Sequence, residues 1–122
     1  MSISMYQASA PVFIRMLTNL LAILDKAQAH ADAKKFDSAN YLGARLARDM
    51  LPFTKQVQIA CAEAKEIVIK LGPKQERILT FTGLSFLQGF AIGNLYFHVT
   101  TAYALLRHMG VEVGKTDFLG AP

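Results

Sequence analysis

The residues best spaced for chemistry sit near the C-terminal end of the chain. Asn94, His98 and Thr101 fall at i, i+4 and i+7, so a helix places them on one face otherwise made of Leu and Ala. Polar groups on an apolar face need hydrogen-bond partners. Gln56 or Gln58, and Arg45 with Asp49 in the preceding connection, are the candidates to supply them. The chemistry implied is a small polar pocket in which His98 contacts a ligand or carries a proton. A core histidine that fixes helix register fits the same pattern. The expected ligand-binding set is therefore Asn94, His98, Thr101, Gln58 and Arg45, with no catalytic residue assigned and no metal or other cofactor expected.

A catalytic metal needs three protein ligands and an open position. The chain has three histidines, His30, His98 and His108. His98 and His108 are ten residues apart, nearly a quarter turn out of line and ~15 Å along a helix axis. They cannot share one ion within a chain, and His30 belongs to a different helix. Cys61, the sole cysteine, rules out an intrachain disulfide and reads as a small buried hydrophobe. Tyr96 and Tyr103, seven apart on another face, read as interface aromatics. Gly83, Gly89 and Gly93 fall in or beside a helical stretch, so they form no phosphate loop. Neither a G-x-S-x-G elbow nor a paired-carboxylate motif is present.

The elements that must position these residues are helical. Phe13, Met16, Leu17, Leu20, Leu21, Leu24 and Ala27 recur at spacings of three and four, the stripe of an amphipathic first helix. Ser9 is its expected N-cap, with Pro11 near its start. The helix fades over 30–35. A connection over 36–50 holds one short helix beginning at Asp37 or Ser38. Pro52 then opens a second long helix whose stripe is Phe53, Val57, Ala60, Cys61, Ala64, Ile67, Val68 and Leu71. Glu66 and Lys70 make an exposed i,i+4 pair, and Gly72-Pro73 ends the helix. Residues 79–83 read as an extended lead-in, with Thr82 as N-cap of a last helix that runs to Met109 and stops at Gly110. The tail from 111 to 122 reads as mostly irregular.

That last helix carries no charge from Phe81 to Leu106. Such a run is long enough to span a bilayer, which needs ~20 apolar residues. Gln88, Asn94, His98, Thr100 and Thr101 inside it argue against lipid, because polar groups at bilayer depth are costly. Burial on several sides is the better account. Its stripes are Leu84-Leu87-Ala91-Asn94-His98-Thr101-Leu105, Phe86-Phe90-Gly93-Phe97-Ala104 and Ile92-Tyr96-Val99-Tyr103-Leu106. In a chain of 122 residues the surplus apolar faces suit a second subunit, so a homodimer through the last helix is expected.

Composition agrees with one helical domain. Hydrophobic residues make up 52% of the chain and charged ones 18%, too apolar for a disordered segment. The net charge of +4 comes from basic residues scattered along the chain, so no nucleic-acid partner is expected. The N-terminal residues lack a basic stretch followed by an apolar core, so a cytoplasmic location without membrane attachment is expected.

Several segments carry a family resemblance: Met5-Tyr6-Gln7-Ala8-Ser9, Ala44-Arg45-Leu46-Ala47, residues 56–61, Thr80-Phe81-Thr82-Gly83, residues 94–108 and residues 114–120. Together they resemble an uncharacterised bacterial family of unknown function related to the DinB/YfiT superfamily. The likeness covers nearly the whole chain, and 94–108 is its most specific part. It implies an all-α, up-down-down-up four-helix bundle, often dimeric. It also implies an alternative function, a metal-dependent thiol transferase or hydrolase with three histidines in the bundle, two of them in an H-x-x-x-H pair. This sequence lacks that pair. It departs again between Leu71 and Leu79, where the resemblance implies a further helix and the chain has a short polar stretch. Either the connection is shortened, leaving an apolar groove for a partner to cover, or a segment is absent near 72–77. The second is favoured.

Overall fold

The computed structural model describes residues 2–63 and 83–122. The expectations for 64–82 lie outside the described residues: the far half of the second stripe, the Glu66–Lys70 pair, the Gly72-Pro73 stop, the join near 72–77 and the Thr82 cap.

Helix α1 runs from Met5 to Lys34, starting earlier than the Ser9 cap predicts. The Ser4 hydroxyl accepts from the Gln7 N–H while the Gln7 side chain accepts from the Ser4 N–H. This reciprocal pair satisfies two of the donors a helix start leaves bare. Pro11 therefore lies inside the helix, at the cost of one backbone donor. Lys35 ends it in the left-handed region at φ 55°. The short α2 (Ala39–Leu42) follows Ser38, as expected. Helix α3 begins at Phe53, directly after Pro52, and is described to Glu63.

The last helix is one continuous rod in three pieces. Helix α4 (Gly83–Phe86) passes through a π turn at Leu87–Ala91 into α5 (Ile92–His108). The π turn inserts one residue into the helical repeat, which periodicity alone does not reveal. Gly110, at φ 93°, reverses the chain just after α5. The tail is mostly irregular, as expected, but it also holds the short α6 (Lys115–Leu119), and its Val111 and Val113 are buried.

Helix α5 packs against both α3 and α1, and α6 lies along α1. The core joins Met16, Leu20, Ile23, Ala27 and Ala31 of α1 to Phe53 and Ala60 of α3. Leu95, Val99, Ala102, Leu105 and Leu106 of α5 fill the space between. The α1 stripe is thus rotated from the expected one. Ile23 is fully buried, whereas Leu21 is 61% exposed. Cys61 is also corrected: it is exposed, one residue beyond buried Ala60 and so turned about 100° away from α5.

The stripes of the last helix divide in the same physical way. Val99 and Leu106 are buried, and Tyr96 and Tyr103 both pack on Phe118 of the tail, so these tyrosines have an intrachain partner. Phe86 and Phe90 stack on each other, with Gly93 and Phe97 exposed further along that stripe. Among the described residues, the helix with the length and composition to cross a bilayer is α1, not the uncharged last helix. The inner face of α1 forms the core, and its polar residues Arg15, Asn19 and Lys26 bind the tail.

Candidate functional site

His98 lies on the α5 face that meets α3, and it is buried. Its Nδ1 stands 2.6 Å from Oε1 of Gln56 on α3. Gln56, only 1% exposed, turns its other end back to the chain before its own helix, where Nε2 donates to the Leu51 carbonyl at 3.0 Å. That second bond fixes the orientation of the amide. Rotating it by 180° would set an oxygen against the Leu51 carbonyl, and two acceptors cannot bond. With Oε1 facing the imidazole, Nδ1 must carry the hydrogen. The lone pair of His98 is therefore on Nε2, which makes no hydrogen bond among the described residues.

Burial also lowers the basicity of this ring, because removing water disfavours the charged form. His98 is thus a neutral imidazole near pH 7, with a fixed tautomer and an acceptor at Nε2. Such a group can accept a hydrogen bond, take a proton or bind a metal ion. The Phe97 ring stands edge-on beside it, centroids 5.2 Å apart.

The other expected site residues fall as follows. Asn94, half-buried, is one turn before His98, and Thr101 is buried one turn after it. The Thr101 hydroxyl donates to the Phe97 carbonyl at 2.7 Å, within its own helix. Gln58 is exposed on α3, so Gln56 and not Gln58 meets His98. Two residues along a helix turn a side chain by about 200°, which decides between them. Arg45 is exposed and donates to the Met50 carbonyl, bracing the connection ahead of Pro52.

The remaining histidines lie apart. The half-buried His30 has Nδ1 2.6 Å from the Tyr41 hydroxyl and packs edge-on against Phe36. Burial raises the Tyr41 pKa, so the phenol stays neutral. His108 is exposed at the end of α5. Among the described residues no three His, Cys, Asp or Glu side chains come together as metal ligands. A three-histidine centre of the kind the resemblance implies does not fit this part of the chain.

The profile of a domain of unknown function, DUF1993, matches residues 5–78 and 64–119. The chain belongs to the DUF1993 family. No curated protein matches it. Among solved structures, the DUF1993 chain is similar to a DinB family member protein from Shewanella denitrificans. The TM-score is 0.78 at 34% identity, covering 98% of this chain and 97% of that one. The all-α, DinB-like fold expected from the sequence is therefore present, with no strand among the described residues.

The sequence made Asn94, His98 and Thr101 visible through their spacing. The Gln56–Leu51 brace was less so, although Gln56 three residues after Phe53 already lies on the inward side of α3. The polar clasp of the tail on α1 was missed. Its signal was the alignment of Arg15, Asn19 and Lys26 on one side of that helix, which reads as a solvated face until the tail is seen to fold back.

Proposed function

We propose that this DUF1993 protein is a cytoplasmic homodimer that binds a small polar ligand at His98, with Nε2 as the accepting atom. The observation that carries the reading is the Leu51–Gln56–His98 chain of hydrogen bonds. It holds a buried ring in one tautomer and leaves its basic nitrogen without a partner among the described residues. A histidine serving only as core filling would be expected to use both nitrogens. The exposed Phe97 and Gly93, on the same stripe as Phe86 and Phe90, support an interface along the last helix. An added Cβ at Gly93 would meet nothing within 4 Å, so a second backbone can approach closely there. The up-down-down-up order of the bundle belongs to the same proposal.

The second reading, a metal-dependent thiol transferase or hydrolase, draws on the same atom, since a metal-binding histidine also needs its other nitrogen held by an acceptor. It requires further ligands from 64–82 or from a partner chain. Both readings are tested by titrating the protein with zinc, nickel and a panel of small amides, alcohols and thiols while following backbone amide shifts. Shifts centred on 53–57 and 94–101 that vanish in His98→Gln support the site. Tight one-to-one metal binding that needs His98 selects the second reading. A panel that moves none of these residues removes both.

A further inference from the structure

A separate cleft of about 650 Å³ opens between α1, α5 and the C-terminal segment, a volume in the range of small-molecule sites. Its walls are mostly apolar. Arg15 and Met16 come from α1, Tyr96 and Thr100 from α5, and Phe118 and Leu119 from the tail.

The cleft is a built feature, because side chains of α1 clasp the tail that forms its third wall. Arg15 donates from Nε to the Leu119 carbonyl and from Nη2 to the Ala121 carbonyl, each at 2.9 Å. Asn19 Nδ2 donates to the Phe118 carbonyl at 2.9 Å. Lys26 pairs with Asp117 at 2.6 Å. Gly120, at φ 75°, passes so close to Asn19 that a Cβ there would stand 2.5 Å from Oδ1. Phe118 is pinned between Tyr96 and Tyr103. A wall held this way exists before any ligand arrives, which lowers the cost of ordering on binding.

The polar atoms left around this apolar space define what it takes. Nη1 of Arg15 and the hydroxyls of Tyr96 and Thr100 make no hydrogen bond among the described residues. A guanidinium and two hydroxyls lining one cleft suit a carboxylate, which only accepts, and the walls match an apolar body. We propose that this cleft is a binding site for small carboxylates with an apolar chain or ring, seated with the carboxylate on Arg15. The site is independent of His98.

Octanoate, octanol and octylamine, titrated separately while amide shifts are recorded, provide the test. Octanoate is expected to shift Met16, Thr100 and residues 118–120, and to bind at least about tenfold more tightly than octylamine, as a charge-assisted contact requires. Thr100→Leu, a change at an exposed helical position, is expected to block the cleft without unfolding the protein. Arg15→Met is expected to weaken octanoate about tenfold and leave octanol unchanged, and His98→Gln is expected to leave all three unchanged. Because Arg15 also clasps the tail, Thr100→Leu decides if Arg15→Met fails to fold. Octanoate binding that survives in folded Thr100→Leu, shifts centred elsewhere or absent, or equal affinity for octylamine would overturn the proposal.

Discussion

Replacing Gln56 by Leu removes the amide that braces His98 while keeping a side chain of similar size in a position only 1% exposed. Two bonds are lost, but their ends are not equal. Leu51 is 45% exposed as a residue, so water has the easier approach at that end. The Nδ1–H of buried His98 has no such recourse, and a stranded buried donor costs about 1–3 kcal/mol. Added apolar burial by Leu offsets part of this, so a net loss of about 2 kcal/mol is expected from the unmade bond. For a domain of this size that is a fall in Tm of roughly 8 °C. His98→Leu alone strands the Gln56 amide in the same way, whereas the double variant strands neither group. A double-mutant cycle by urea unfolding at pH 7.5 should therefore give a coupling of about 1–2 kcal/mol. Additivity within about 0.5 kcal/mol, or a Gln56→Leu variant as stable as wild type, would refute the idea that the Gln56 amide holds the Nδ1 side of His98.

Because burial holds His98 neutral, the unfolded chain takes up a proton before the folded one as pH falls. The stabilisation is complete above about pH 6.5, the ordinary histidine value, and drains away below it toward the lowered folded value; urea midpoints of wild type should show this decline between pH 7 and 5, and His98→Leu should lose that part of it. Gly120→Ala should cost about 1–3 kcal/mol from the left-handed backbone and the Asn19 collision, seen as a lower Tm and faster proteolysis of the tail. Ile23→Ala, at the centre of the core, should cost about 2–5 kcal/mol in chemical denaturation. Asp117 is held below the usual carboxylate range first by its hydrogen bond to Lys26 and then by the Gly114 N–H. Since Lys26 is 51% exposed, Lys26→Met should cost under about 1 kcal/mol, and Asp117→Asn, which weakens the cap of α6 as well, should cost more by thermal melting.

The fold was legible wherever burial has a single period. The spacing of Met16, Leu20 and Ala27 on α1, and of Val99 and Leu106 on α5, follows the contact each helix makes, whereas Leu95, fully buried, falls in none of the expected stripes. Leu21 and Ile23 show the limit of that reading. Both are aliphatic, and only the direction of the neighbouring helices decides which is inside. Ser4 outcompeted Ser9 as a cap because Gln7 sits three residues after it and completes the reciprocal bond. In the site, a shared face was readable from the intervals between Asn94, His98 and Thr101. The partner on α3 was not, because choosing Gln56 over Gln58 needs the rotation of α3 about its own axis. The tail was missed for a related reason: its few buried residues gain meaning only against the polar side chains of α1, about 100 positions earlier in the chain.

The most direct measurement is the state of the His98 ring itself, from long-range proton–nitrogen correlation spectra of the imidazoles recorded from pH 8 to 4. His98 should show a protonated Nδ1 and a bare Nε2, and should titrate below the ordinary histidine value. A His98 that carries its hydrogen on Nε2, or that is already cationic at pH 7, would contradict the account.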